Sequence, residues 1–317
     1  MHRIAVLDDY QSVAARFCDW STVPGPVRVV EFHDSVTDED ALAARLEPFD
    51  VVVAMRERTQ FRRSLLERLP DLALLVTTGM RNAAIDVAAA TELGITVCGT
   101  SASAEATVEL TWGLVLAALR HIPREDASMR TGGWQQTLGG DLAGARLGVV
   151  GLGRLGSRVA TIGQAFGMDV VAWSENLTDE RAAEVGVRRV ARDELFATSD
   201  VVTVHLLLSR RTRALIGADD LARMKPTAVL VNTSRGPIVE QQALLDALHS
   251  GRIAGAGLDV YDEEPLPREH PLRSAPRTVL TPHLGYVTRG TYETFYREAV
   301  EDVAAWVGGS PVRVLDT

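Results

Sequence analysis

Short apolar runs alternate with amphipathic stretches along almost the whole chain, and this rhythm restricts the fold more than any other feature. Residues 3–7 (RIAVL), 27–32 (VRVVEF), 50–54 (DVVVA), 72–77 (LALLVT) and 95–98 (ITVC) read as strands. Between them, 38–47, 61–69 and 83–93 have helical spacing. Strands this short and this apolar, separated by helices, belong to a parallel sheet covered on both faces.

A long apolar stretch from Ser101 to Leu119 follows, predicted as one helix with Ser101 or Ser103 as its N-cap. The periodicity stops around Gly132 and Gly133. A second strand series begins at 146–150 (RLGVV). It continues at 169–173, 187–190, 200–206, 228–232, 254–259 and 278–281, and a last helix covers 291–307. Two βα series in 317 residues fit two domains. The first series lacks a closing element, and the last helix is expected to pack back on it. One domain would then be discontinuous, 1–99 with 287–317, and 100–286 would be inserted into it.

The chain carries 33 Lys and Arg against 42 Asp and Glu, a net charge of -9, which argues against a nucleic-acid surface. Cys18 and Cys98 lack metal spacing and read as reduced, buried thiols, so no metal is expected. The N-terminus, MHRIAVLDDY, does not read as a signal peptide, and no apolar run reaches the roughly 18 residues of a membrane span. A cytoplasmic protein without a membrane partner is expected.

Residues 148–156 read GVVGLGRLG, in which Gly151, Gly153 and Gly156 form G-x-G-x-x-G between a strand and a helix. In that context Gly151 permits the tight turn and Gly153 lets backbone approach a pyrophosphate. Gly156 lets helix and strand pack closely, and the helix N-terminus offers N–H groups to the phosphates. The next strand ends in VVAWSEN, residues 170–176. An acid that binds the adenosine ribose is expected about 20 residues after the glycines, so the spacing admits either Ser174 or Glu175 beside the ribose.

Three further strand ends carry chemistry. VLVNTSRGP (229–237) presents Arg235, which can hold a carboxylate with two parallel hydrogen bonds. LDVYDEEP (258–265) ends in an acidic turn, and VLTPHLG (279–285) places His283 just past its strand. A histidine beside a carboxylate makes an acid whose pKa is raised toward neutrality. With an arginine for the substrate carboxylate, this set suits reduction of a 2-keto acid.

These stretches resemble the D-isomer-specific 2-hydroxyacid dehydrogenases over nearly the whole chain. The resemblance rests on VGLGRLGSRVA (150–160), DVVTVHLLLSRRTRALIG (200–217), MKPTAVLVNTSRGPIVEQQALLDAL (224–248), GAGLDVYDEEPLP (255–267) and TPHLG (281–285). It implies an α/β fold of two Rossmann-like domains, with the glycine-rich cofactor domain inserted into a discontinuous, flavodoxin-like substrate domain. It also implies roles. Arg235 orients the substrate carboxylate, His283 is the general acid or base, and Glu264 holds His283 in its protonated form. Asp259 and Thr107 lie near the nicotinamide, with Thr233 and Ser234 in the adjoining wall. The implied cofactor contacts extend to Arg154, Leu155, His205 and Gly285. Homodimers are common in the family, and the 101–119 helix is apolar enough to contribute.

The departures bear on substrate and cofactor. Relatives usually carry a G-x-G loop in the first domain. Here 77–82 reads TTGMRN, with Gly79 kept, Met80 next and Arg81 where the second glycine usually stands. Arg56, in MRERT, resembles the family's Arg of V-R-S-x-T. Arg81 either binds an acidic or phosphate-bearing substrate, or faces solvent or pairs with an acid. Tyr286 follows the histidine loop and is placed to shape the pocket. Ser174 stands where NAD-specific members carry Asp, and NADP-using relatives often have Ser followed by Arg. Here Glu175 follows instead, which would repel a 2′-phosphate. NAD is therefore expected, with NADP or dual use as the alternative. Besides a small 2-keto or 2-hydroxy acid reductase, the resemblance leaves open a phosphoglycerate or 4-phosphoerythronate-type dehydrogenase. It also leaves open an NAD(H)-binding corepressor of the C-terminal binding protein type.

Overall fold

Valine-rich runs become two fully parallel sheets. A computed structural model describes residues 1–316, and the chain in it divides into two units, Met1–Ser103 joined by the segment from Thr288 onward, and Ala104–Val287. Thr317, the last residue of the expected discontinuous domain, lies outside the described residues.

The first unit holds β1 (His2–Val6), β2 (Val27–Glu31), β3 (Val51–Ala54), β4 (Leu74–Thr77) and β5 (Thr96–Gly99) in the order β2-β1-β3-β4-β5. This is the flavodoxin-like order. Phe61, Leu65, Leu75 and Val97 are among the buried residues of its core. The helix Arg289–Val307 packs on β4 and β5. Beyond it, Cys98 of β5 bridges antiparallel to Val314, and Leu315 N–H donates to Val97 O at 2.8 Å. Arg313 donates to Asp302 Oδ1 (2.9 Å), Glu301 Oε2 (3.1 Å) and Glu298 O (2.9 Å), tying this tail to the helix.

The second unit holds β6 (Arg146–Val150), β7 (Asp169–Trp173), β8 (Arg188–Arg189), β9 (Val201–Val204), β10 (Val229–Asn232), β11 (Gly255–Leu258) and β12 (Thr278–Leu280). Their order is β12-β11-β10-β9-β6-β7-β8, the dinucleotide-binding arrangement with one strand added. Alternation along each strand serves two cores. Leu147, Val149, Val170, Ala172, Val229 and Val231 face one. Val150, Val171, Val202, Val204 and Leu230 face the other. Both faces are dry, which is why the strands read as continuous apolar runs.

The long apolar helix is Glu105–Leu119 and packs on β10, β11 and the helix Arg154–Ala165. Neither Ser101 nor Ser103 is its N-cap residue. Its N-cap is Ala104, without a side-chain hydrogen bond, and Ser101 N–H instead donates to Glu298 Oε2 at 2.6 Å. A separate helix, Ile122–Arg130, follows where none was expected, with Pro123 in its first turn and none of its residues buried. Polar composition hides such a helix from a search based on apolar spacing.

Candidate active site

The glycine turn follows β6. Gly151 has φ +100°, and a Cβ there would lie 2.9 Å from His205 O, so only glycine fits. Gly156 has no room either. A Cβ would sit 3.1 Å from the Gly151 carbonyl carbon and 3.2 Å from Val149 Cγ1, with the Gly151 oxygen nearer still. Gly153 is different: φ is −81° and nothing lies within 4 Å of its Cβ position. It is the N-cap of the helix Arg154–Ala165, and no side chain caps that end. Arg154 is exposed and Leu155 half-buried in the first turn. An uncapped helix end behind an open glycine suits an anionic pyrophosphate.

At the end of β7, Trp173 O accepts from Gly151 N–H at 2.8 Å. Ser174 is half-buried and Glu175 exposed, in a turn closed by Leu177 N–H to Ser174 O at 3.1 Å. The Arg192 guanidinium stacks 5.4 Å from the Trp173 ring centroid, and the sequence reading missed it. That cation is committed, because it forms a bidentate pair with buried Asp220 (3.0 and 2.7 Å) and also donates to Leu215 O.

The residues expected in the cofactor wall form connected pairs. His205 N–H donates to Val150 O at 2.8 Å, and its Nε2 is buried without a hydrogen-bond partner. Burial pushes this imidazole down to about 4, so it is neutral at neutral pH. Ser234 Oγ donates to Leu206 O, and Thr233 Oγ1 shares a 2.8 Å hydrogen bond with Thr111 Oγ1. Thr107 Oγ1 donates to Gly285 O at 2.9 Å. A neutral ring nitrogen awaiting a partner, together with the open glycine turn, fits a bound dinucleotide.

Arg235, Glu264 and His283 all follow the carboxyl ends of strands in this unit. Arg235 leaves β10 in extended backbone, and its Nη1 donates to Ser234 O at 2.7 Å. Asn232 shapes the turn, donating to Arg235 O at 2.9 Å and accepting from Ser234 N–H at 3.0 Å. His283 Nδ1 lies 2.5 Å from Glu264 Oε2, and Glu264 Oε1 accepts from Tyr261 N–H at 2.8 Å. Both carboxylate oxygens are therefore engaged. The pairing engages Nδ1 and leaves Nε2 as the second ring nitrogen. His283 sits at φ +53°, unfavourable for a residue with a side chain.

Asp259 compensates for that backbone. It is fully buried, and its Oδ1 accepts from Thr281 Oγ1 and Leu284 N–H, both at 2.6 Å. Its Oδ2 accepts from Gly285 N–H at 2.8 Å, and its carbonyl accepts from His283 N–H at 2.9 Å. Burial raises its carboxyl above the ordinary value, and these hydrogen bonds work in the opposite direction. The buried Tyr286 ring stands edge-on to His283, with centroids 5.3 Å apart.

The expected substrate residues of the first unit lie beyond β3 and β4. Arg56 has φ +51°, its N–H donates to Thr78 Oγ1, and its Nη1 donates to Thr78 O, both at 2.9 Å. Its guanidinium covers Gly79 so closely that a Cβ there would collide with it. Met80 and Arg81 are exposed.

Residues 112–285 match the family model described as the NAD-binding domain of D-isomer specific 2-hydroxyacid dehydrogenases. A glyoxylate reductase of Aeropyrum pernix is 42% identical over 255 residues, covering 77% of this chain and 76% of that protein. A D-3-phosphoglycerate dehydrogenase of Methanocaldococcus jannaschii is 38% identical over 82% of this chain, but the match spans only 50% of that protein. A solved phosphoglycerate oxidoreductase from Vibrio cholerae superposes with a TM-score of 0.93 at 40% identity, covering 98% of this chain and all of that one. No helix among the described residues is long and apolar enough to cross a membrane.

Proposed function

The chain belongs to the NAD-dependent D-isomer specific 2-hydroxyacid dehydrogenases, and from that premise we propose that it reduces a small 2-keto acid to the D-2-hydroxy acid. NADH, when bound, supplies the hydride. The observation that carries the proposal is the His283–Glu264 contact of 2.5 Å in the same unit as Arg235 and the open glycine turn. Arg235 binds the substrate carboxylate and draws electron density toward the keto oxygen. His283 Nε2 donates a proton to that oxygen, and in the reverse direction takes it back. Glu264 fixes the imidazole through Nδ1 and balances its charge.

Gly151, Gly153, Gly156, Arg154 and Leu155 would hold the pyrophosphate, with Ser174 and Glu175 at the ribose. Thr107, His205, Thr233, Ser234, Asp259 and Gly285 would hold the remainder of the cofactor. Arg56, Gly79, Met80, Arg81 and Tyr286 are proposed to contact substrate. Glu175 is exposed, and Arg192 is occupied by Asp220, so NADH is favoured over NADPH. The phosphoglycerate dehydrogenases among the relatives favour a second reading, a phosphate-bearing substrate held by Arg56 and Arg81.

The protein is further proposed to be a cytoplasmic homodimer. Two free thiols support a reducing compartment. A helix that buries nothing, followed by Trp134 at 69% and Leu138 at 95% exposure, supports a second copy as cover. A panel of 2-keto acids, with and without a phosphate or second carboxylate, assayed with both cofactors, tests the function. No turnover with any member despite NADH binding would overturn it, and higher efficiency with NADPH would overturn the cofactor preference.

A further inference from the structure

Three contacts that position Arg235, Glu264 and His283 converge on one residue that carries none of the proposed chemistry. Tyr261 follows β11 and is buried. Its backbone N–H donates to Glu264 Oε1 at 2.8 Å. Its hydroxyl lies 3.0 Å from Thr281 O and 3.2 Å from Leu258 O, so one proton is shared between the strand that Tyr261 leaves and the loop that carries His283. Its carbonyl lies against Gly236, the residue after Arg235. A Cβ on Gly236 would collide with that carbonyl and come within 2.6 Å of Asp262 N.

We propose that Tyr261 is a positioning residue that clamps the His283 loop, the Glu264 turn and the Arg235 turn into one register. The proposal rests on the dehydrogenase reading above for its kinetic consequence and on geometry alone for the clamp. Asp259 reaches two of these three segments, not all of them. Asp259 organises residues 281–285 from within and its N–H donates to Asn232 O at 3.0 Å, at the start of the Arg235 turn, but it makes no hydrogen bond to Glu264. A phenylalanine at 261 would keep the ring packing and the N–H, and would lose only the hydroxyl's shared tether to Thr281 O and Leu258 O. Thr281 starts the loop that holds His283 at φ +53°, so relaxation of that tether is felt at the imidazole.

The test compares Tyr261→Phe with Tyr296→Phe in the full chain. Tyr296 is fully buried, but its hydroxyl has no hydrogen-bond partner, so the control makes the same chemical change without cutting a tether. Amide exchange across 281–285, read by mass spectrometry, should quicken at least about 10-fold in Tyr261→Phe and stay at the wild-type rate in the control. With a turned-over 2-keto acid, kcat should fall by about 10- to 100-fold, because small misplacements of reacting groups are costly. The KM for NADH should stay within about 2-fold. Wild-type exchange in Tyr261→Phe overturns the clamp. Faster exchange with unchanged kcat, or equal loss in kcat and NADH affinity, overturns the positioning role. If the wild-type enzyme turns over no keto acid, the proposed function fails while the exchange measurement still decides the clamp.

Discussion

Alanine at Gly153 and alanine at Gly156 should fail in opposite ways, though only three residues separate them. At Gly153 the new Cβ meets no heavy atom within 4 Å, and φ of −81° suits any L residue. Alanine is a poorer N-cap than glycine by several tenths of a kcal/mol, while the stiffer unfolded chain returns about 0.4–1 kcal/mol, so stability should change by less than about 0.5 kcal/mol. The methyl instead occupies the face that a pyrophosphate must approach. Losing even one hydrogen bond to a charged group, about 1.5–3 kcal/mol, weakens NADH binding at least about 10-fold. At Gly156 the Cβ is pressed against the Gly151 carbonyl and Val149. Both neighbours are fixed, one as backbone in the tight turn and one as a fully buried strand residue. Overpacking of this kind costs about 1–3 kcal/mol, or roughly 2–12 °C in Tm for a unit of this size. Thermal unfolding followed by circular dichroism, with NADH fluorescence titration on the same samples, separates the two. Wild-type NADH affinity in Gly153→Ala would refute the placement of the pyrophosphate. A Tm loss in Gly153→Ala equal to that in Gly156→Ala would refute the steric argument.

Other outcomes follow from the same geometry. His283→Ala should lower kcat by at least about 100-fold, the low end for a positioned general acid, and steady-state kinetics showing a smaller loss would remove it from that role. Arg81→Ala should raise KM selectively for acidic substrates, whereas an unchanged KM across the panel leaves Arg81 a solvated surface residue. Burial pushes the Asp302 carboxyl up to about 7, although Arg313 lies 2.9 Å away. A carboxyl raised in the folded state keeps a proton that the unfolded chain has released. Its contribution is thus full below about pH 4 and is lost as the pH rises to about 7. Urea midpoints of the wild type should therefore decline relative to Asp302→Asn across that range, and parallel curves would refute the assignment.

Much of this site was legible because its residues lie where apolar runs end. Val229–Asn232 and Gly255–Leu258 announce themselves by composition, and the polar turns after them carry Arg235 and Glu264. The glycine triplet was legible for a similar reason, since strand, turn and helix are contiguous there. Contacts between distant segments were not legible. Nothing in LDVYDEEP says that the Tyr261 hydroxyl reaches a carbonyl twenty residues on, or that Gly236 is glycine for the sake of that turn. Arg192 gave no signal, because its partners Trp173 and Asp220 come from separate elements. Ser101 and Ser103 look like caps in the sequence, yet the helix starts at Glu105, and Glu298, nearly two hundred residues away, takes the Ser101 N–H.

The first unit is assembled from both ends of the chain, and this sets an order on its making. Ala104–Val287 is continuous and can close its sheet as soon as it has been synthesised. The earlier strands β4 and β5 must wait for the helix Arg289–Val307 to cover them, and for Val314 and Leu315 to pair with Cys98 and Val97. At about 5–20 residues per second the intervening unit takes on the order of 10–40 s to appear. Throughout that interval the β5 edge and its apolar face are exposed on the nascent chain. The second unit should therefore become protease-resistant on the ribosome first, and the older half of the sheet would be the client of any chaperone that attends the nascent chain.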